Sequence, residues 1–268
     1  MSVSLISSVV YIFILFVCYS FLRKLQFSVL VSLFFTYVYS MVPVLMAQAG
    51  RYHAGMPDIY IAALYWVAVW FFYERVTNVK ASPRKKHFYT GCVVFSTLVA
   101  SQIKFEGIVI GTMLLFFPTS FFKRGASILI ASIGVILWQT AQYVFNIPAA
   151  YGLRLPSLSE LAFRFFVVLR EITSELLLNI HNWYFFGWLF LGSVLLLPPQ
   201  KAFIRRKLQP VFVVWAFATL AAYLFSTVPI IGYPASSFDR LFLQVSPVWF
   251  LILVDRLYPV IKRQLPLK

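Results

Sequence analysis

The chain has 268 residues, of which 61% are hydrophobic, 19% aromatic and only 12% charged, with a formal net charge of +15. A soluble domain is typically about 45–50% apolar and about 25% charged, so a water-soluble globule, a disordered chain and a disulfide scaffold are excluded. The 23 basic residues stand in short clusters between apolar runs and not in one polar stripe, which argues against a nucleic-acid partner and for membrane lipids.

Apolar runs of about 17–25 residues cross a bilayer as helices. Nine are predicted, over residues 2–22, 27–49, 57–73, 87–103, 107–122, 126–145, 183–199, 210–230 and 241–257. The runs are continuous and not alternating, so a β-barrel is excluded. The fold class is therefore all-α, a polytopic integral membrane protein, with residues 1–268 forming one transmembrane domain. The first run has no basic residue before it and Arg23-Lys24 after it, the reverse of a signal peptide. It reads as a span entering from outside, and an earlier helix is expected to deliver it. Cys18 and Cys92 lie within apolar runs and are read as buried free thiols.

Between the second and third runs stands Arg51-Tyr-His53-Ala-Gly-Met-Pro-Asp58. Pro57 suits the first turn of a helix, and Asp58 is favoured there by the helix dipole. Arg51 and His53 share the same short loop, so Asp58 is a candidate to bind a cation or an acceptor hydroxyl. The stretch 87–122 would extend about 54 Å as one helix, against a hydrocarbon core of about 30 Å. It is predicted to turn back at Lys104-Phe105-Glu106-Gly107, where the two charges either cap the hairpin or reach separate partners.

The connection 146–182 contains Ser157-Leu-Ser-Glu160, which matches a capping box. Leu161, Phe165, Val168, Leu169, Ile172 and Leu176 then recur at helical spacing, with Glu160, Arg164, Glu171 and Glu175 on a polar side. This predicts an amphipathic helix lying in the membrane interface. Before the last run, Asp239 and Arg240 are neighbours and point in different directions. Arg240 is placed either to hold a phosphate or to snorkel to headgroups.

Charge sets the expected orientation. Seventeen of the 23 basic residues fall in alternate connections, and six of the eight carboxylates fall on the opposite side. The positive-inside rule puts the N-terminus outside and the C-terminus in the cytoplasm. No Walker loop, dinucleotide fingerprint or zinc spacing is present; His53, His87 and His181 are isolated, and no metal ligand set is assigned.

Three segments together resemble the GT-C membrane glycosyltransferases, including the bacterial protein-mannosyltransferase-like and aminoarabinose-transferase-like enzymes. Gly55-Met-Pro-Asp58 resembles their G-x-x-D helix start, Lys104-Phe-Glu106-Gly107 their K-x-E-G hairpin, and Asp239-Arg240-Leu-Phe-Leu-Gln-Val-Ser-Pro247 their closing R-[YL]-L-x-x-x-x-P span. The resemblance covers most of residues 25–257. It implies transfer of a sugar from a polyprenyl-phosphate carrier to an acceptor on the exoplasmic face of a bacterial inner membrane. By resemblance Asp58 and Glu106 would be the catalytic carboxylates. Arg51, His53, Lys104, Asp239 and Arg240 would bind substrate, with Lys104 and Arg240 on the lipid phosphate. The cofactor stays open, a divalent cation being one choice. Family members carry a first helix and an acidic first exoplasmic loop, whereas no acidic residue precedes Asp58 here. The departure leaves open an inactive relative, or a partner chain that supplies the N-terminal segment. A lipid-linked saccharide flippase is the alternative from another class, weakened by the lack of an internal repeat. A non-catalytic membrane subunit is the third reading.

Overall fold

The computed structural model describes residues 3–51, 56–103, 154–183, 185–227 and 231–264, with isolated helical positions between 133 and 144. Helices form all of its regular elements. In chain order they are α1 (Val3–Lys24), α2 (Val29–Ser40), α3 (Pro43–Met46), α4 (Pro57–Thr77), α5 (Pro83–Ile103), α6 (Leu158–Leu178), α7 (Ile180–Trp183), α8 (Phe186–Leu196), α9 (Gln209–Phe225), α10 (Tyr233–Gln244) and α11 (Ser246–Gln264). Single π-helical turns, Ala47–Arg51 and Ile204–Leu208, extend α3 and precede α9.

The all-α reading holds, but the count of nine spans does not. Among the described residues three helices are long and apolar enough to cross a membrane: Leu5–Lys24, Pro57–Thr77 and Ile204–Phe225. The expected spans 27–49 and 241–257 are each broken. Val29–Ser40 and Pro43–Ala49 meet at 70°, as do Ser237–Gln244 and Ser246–Arg263, which raises the total to five if each bent pair is one span. Run 183–199 yields only the eleven-residue α8. Run 87–103 forms α5, which begins with Arg84-Lys85-Lys86 and does not reach the hydropathy of a span. Runs 107–122 and 126–145 fall almost wholly outside the described residues. Run length records composition and not direction, so a proline-started bend inside an apolar run is invisible to it.

The core gathers around α4. Tyr65, Trp66, Val69 and Phe72 are buried there against Phe21 of α1, Phe35 and Tyr39 of α2, and Trp249 and Phe250 of α11. Cys18 is a buried free thiol, whereas Cys92 is only half-buried. Apolar side chains also cover the outside: Ile12 and Phe16 of α1, Leu33 and Phe34 of α2 and Phe217 of α9 are all exposed. An outer surface of that kind is stable against lipid and not against water.

Charge divides the bundle along α4. Asp58 lies at its start and Glu74 at its end, about 24 Å apart at 1.5 Å per residue. At the Glu74 end, Lys24 pairs with Glu74, and the Lys201 ammonium sits 4.7 Å above the Phe27 ring. Burial lowers the Lys201 pKa from its usual value, opposed by the nearby Asp255 carboxylate. Asp255 accepts the backbone N–H groups of Gln200 and Lys201, and Arg256 donates to the Val194 carbonyl at 2.9 Å. The α8–α9 connection is thereby tied to α11.

Helix α6 starts as its sequence indicates. Ser157 accepts the N–H of Glu160 at 3.2 Å. The Glu160 carboxylate is held by Arg154 and Arg164. Its orientation is the unexpected part. Arg164, Val168, Glu171 and Glu175, spaced along one stripe, face inward, while Phe163, Phe166, Leu169 and Leu178 face out. The polar side is the protein side. Arg164 is satisfied there by the Ser226 carbonyl at 2.8 Å, and Glu171 accepts the N–H of Gly232 at 2.7 Å. Gly232 has φ of +79°, a left-handed conformation that favours glycine.

Candidate functional site

The site forms where the start of α4 meets both broken segments. Pro57 begins α4, and Asp58, in its first turn, is fully buried. A carboxylate there benefits from the helix dipole, but complete burial demands direct partners as well. Two of them come from one face of α10. Arg240 Nε donates to Asp58 Oδ2 at 3.0 Å, and Gln244 Nε2 donates to Oδ1 at 2.6 Å. Arg240 and Gln244 are one helical turn apart, the spacing that brings two side chains to one neighbour. From the other broken segment, buried Gln48 accepts the Ile59 N–H at 3.0 Å. The first turn of α4 therefore receives a polar contact from each.

Asp239 has partners of its own. It accepts from Asn182 Nδ2 at 3.4 Å and from the backbone N–H of Arg240 at 2.7 Å. Asn182 also donates to Glu175 Oε1 at 2.8 Å, so one amide bridges two carboxylates. Asn179 donates to both oxygens of Glu175. The result is a polar centre in which Asp58, Asp239 and Glu175 are held by Arg240 and the side-chain amides of Gln244, Asn179 and Asn182. Among the described residues no group of three or more His, Cys, Asp or Glu is arranged to hold a metal ion.

Beneath this centre the two bends are joined. The Tyr39 hydroxyl, near the α2–α3 bend, lies 2.5 Å from the Ser246 hydroxyl at the α10–α11 bend. Trp66 Nε1 of α4 donates to the same Tyr39 oxygen at 3.2 Å. All three residues are fully buried. Tyr39→Phe strands the Trp66 N–H and the Ser246 hydroxyl, and an expected loss of about 1–2 kcal/mol in stability follows. Thermal unfolding in a fixed detergent measures it.

Of the residues singled out by sequence, Asp58, Asp239 and Arg240 are brought together. The backbone of Arg51 lies in the π-helical turn beside Gln48, and its side chain is outside the description. His53, Lys104 and Glu106, and with them the 104–107 hairpin, lie outside the described residues. Sequence reasoning missed Gln48, Gln244 and Asn182. The first two carried a signal, since each is a lone amide inside an apolar run. Glu171 and Glu175 were assigned to the solvated side of an interfacial helix, whereas they face the protein interior.

No family model, no curated protein and no solved structure matches the chain. The likeness to glycosyltransferases therefore rests on the three sequence motifs alone.

Proposed function

We propose that the chain is an integral membrane glycosyltransferase that moves a sugar from a polyprenyl-phosphate carrier to an acceptor on the exoplasmic face of a bacterial inner membrane, its C-terminus being cytoplasmic. One observation carries the reading: the hydrogen bond between Asp58 and Arg240 joins two of the three motifs across 182 residues of sequence. In this reading Gln244 fixes Asp58, and Asp58 in turn holds Arg240 in a set pose. A guanidinium so fixed suits the two phosphate oxygens of a departing lipid carrier. The amide-rich and carboxylate-rich surroundings, Asn182, Glu175 and Asp239, offer donors and acceptors of the kind that sugar hydroxyls use. By the same resemblance Asp58 acts on the acceptor, Glu106 orients Lys104 or a sugar hydroxyl, and Lys104 is a second cation on the phosphate.

A second reading, a flippase for lipid-linked saccharides, gains from the two spans bent by 70°. Broken helices that meet near a polar centre are a recurring feature of transporters. Proteoliposomes loaded with a polyprenyl-phosphate sugar and an acceptor separate the two. The transferase gives a covalent product, and Asp58→Asn is expected to lower turnover at least tenfold, as when an oriented charge is lost. Equal turnover by both proteins would remove Asp58 from the mechanism. Movement of intact donor across the bilayer with no product would replace the first reading by the second.

A further inference from the structure

The outer face of α6 carries a feature that the polar centre does not use. A groove of about 790 Å³ runs along it, lined by Phe166, Leu169, Arg170, Glu171, Thr173, Ser174 and Leu178, with Gly232 on the facing side. The volume lies within the range of about 300–1,000 Å³ typical of small-molecule sites. Positions 166, 169, 170, 173 and 174 recur at three and four residues, so one face of the helix supplies the floor. A Cβ placed on Gly232 would meet nothing within 4 Å, so that side of the groove is open.

Its chemistry is divided in a definite way. Phe166, Leu169 and Leu178 are 70%, 47% and 67% exposed, and together they give an apolar track along the helix. Arg170 is exposed beside that track, with the hydroxyls of Thr173 and Ser174 one turn further on. No carboxylate is recorded as an ion-pair partner of Arg170 among the described residues, in contrast to Arg154 and Arg164 on the same segment. Glu171, the one acid in the lining, is 8% exposed, and its carboxylate accepts the Gly232 N–H at 2.7 Å. A cation set in an apolar outer surface is retained where an anion meets it. The anion available to an outer surface of this kind is a lipid phosphate, which a guanidinium binds with two parallel hydrogen bonds.

We infer that this groove is a binding site for one anionic phospholipid. Its phosphate sits on Arg170 and the Thr173 and Ser174 hydroxyls, and an acyl chain lies over Phe166, Leu169 and Leu178. The inference stands apart from the glycosyltransferase reading, because it uses none of the residues assigned to that reaction.

The test uses the full chain in lipid nanodiscs with phosphatidylglycerol carrying a diazirine on one acyl chain. Photolysis followed by peptide mapping is expected to place adducts within residues 166–178. Arg170→Gln is expected to lower that labelling about tenfold, as for loss of one charge-assisted hydrogen bond. Ser174→Trp, which fills the groove without removing charge, is expected to lower it similarly. Diazirine diacylglycerol, which has the chains and no phosphate, leaves the segment unlabelled. Equal labelling in either variant, or by diacylglycerol, overturns the site. Displacement of the label by millimolar inorganic phosphate would make this a site for free phosphate and overturn the lipid assignment.

Discussion

Gly187→Ala is expected to be the most damaging glycine-to-alanine change among the described residues. Gly187 opens α8 where that helix abuts the end of α6. A Cβ at this position would meet the backbone carbonyl of Leu176 well inside contact distance, and the Leu176 side chain at 3.1 Å. The obstacle is backbone, so no rotamer change relieves it. The close approach has its own cause. The last carbonyls of α6 lack helical partners, and the Leu177 carbonyl accepts Trp188 Nε1 at 2.7 Å. That bond draws the two helix ends together, and only a residue without a side chain fits between them. The expected cost is about 3 kcal/mol, at the upper end for overpacking. Gly192, five residues further along α8, provides the control. A Cβ there meets nothing within 4 Å, and Gly192→Ala is expected to leave thermal unfolding in detergent unchanged or slightly raised. Equal unfolding temperatures for the two variants would refute the argument.

Arg240→Met is expected to lower stability by about 2–3 kcal/mol. Removing one partner of a buried ion pair typically costs about 3–5 kcal/mol, because the other charge is left without compensation. The figure is reduced here because the Arg240 side chain is 34% exposed while Asp58 is fully buried, and solvent screens the exposed partner. The asymmetry gives a sharper test. Asp58→Asn combined with Arg240→Met removes both charges and keeps the amide contact to Gln244. The double variant is expected to be more stable than Arg240→Met alone by at least about 1 kcal/mol, as a coupled pair requires. Additive losses would show that the pair contributes nothing as a pair.

The class of fold was legible because apolar run length is a direct physical requirement of a bilayer. The start of α6 was legible too, since Ser157 and Glu160 stand at the spacing that a first helical turn needs. The bends were not. Pro43 and Pro247 sit inside apolar runs, and a proline that opens a new helix has the same hydropathy as one that merely follows a span. The orientation of α6 was not legible either. A polar stripe shows that a helix has two faces, but which face turns inward depends on whether the surroundings are lipid or water. Within the site, Asp58 and Arg240 each stood out as charges at the ends of apolar runs. Their contact was hidden because nothing local relates two residues 182 positions apart. The amides that complete the site were overlooked because Gln48 and Gln244 carry no charge.

The distance along the chain between Asp58 and its partners bears on how the protein is made. Arg240 and Gln244 are translated 182 and 186 residues after Asp58. Through all the intervening synthesis, a carboxylate that ends fully enclosed lacks these two donors. At about 5–20 residues per second that interval lasts on the order of 10–40 s. During it the start of α4 is better placed at the wet edge of the insertion machinery than in hydrocarbon. The arrival of α10 then supplies both donors in one step and closes the bundle around Asp58.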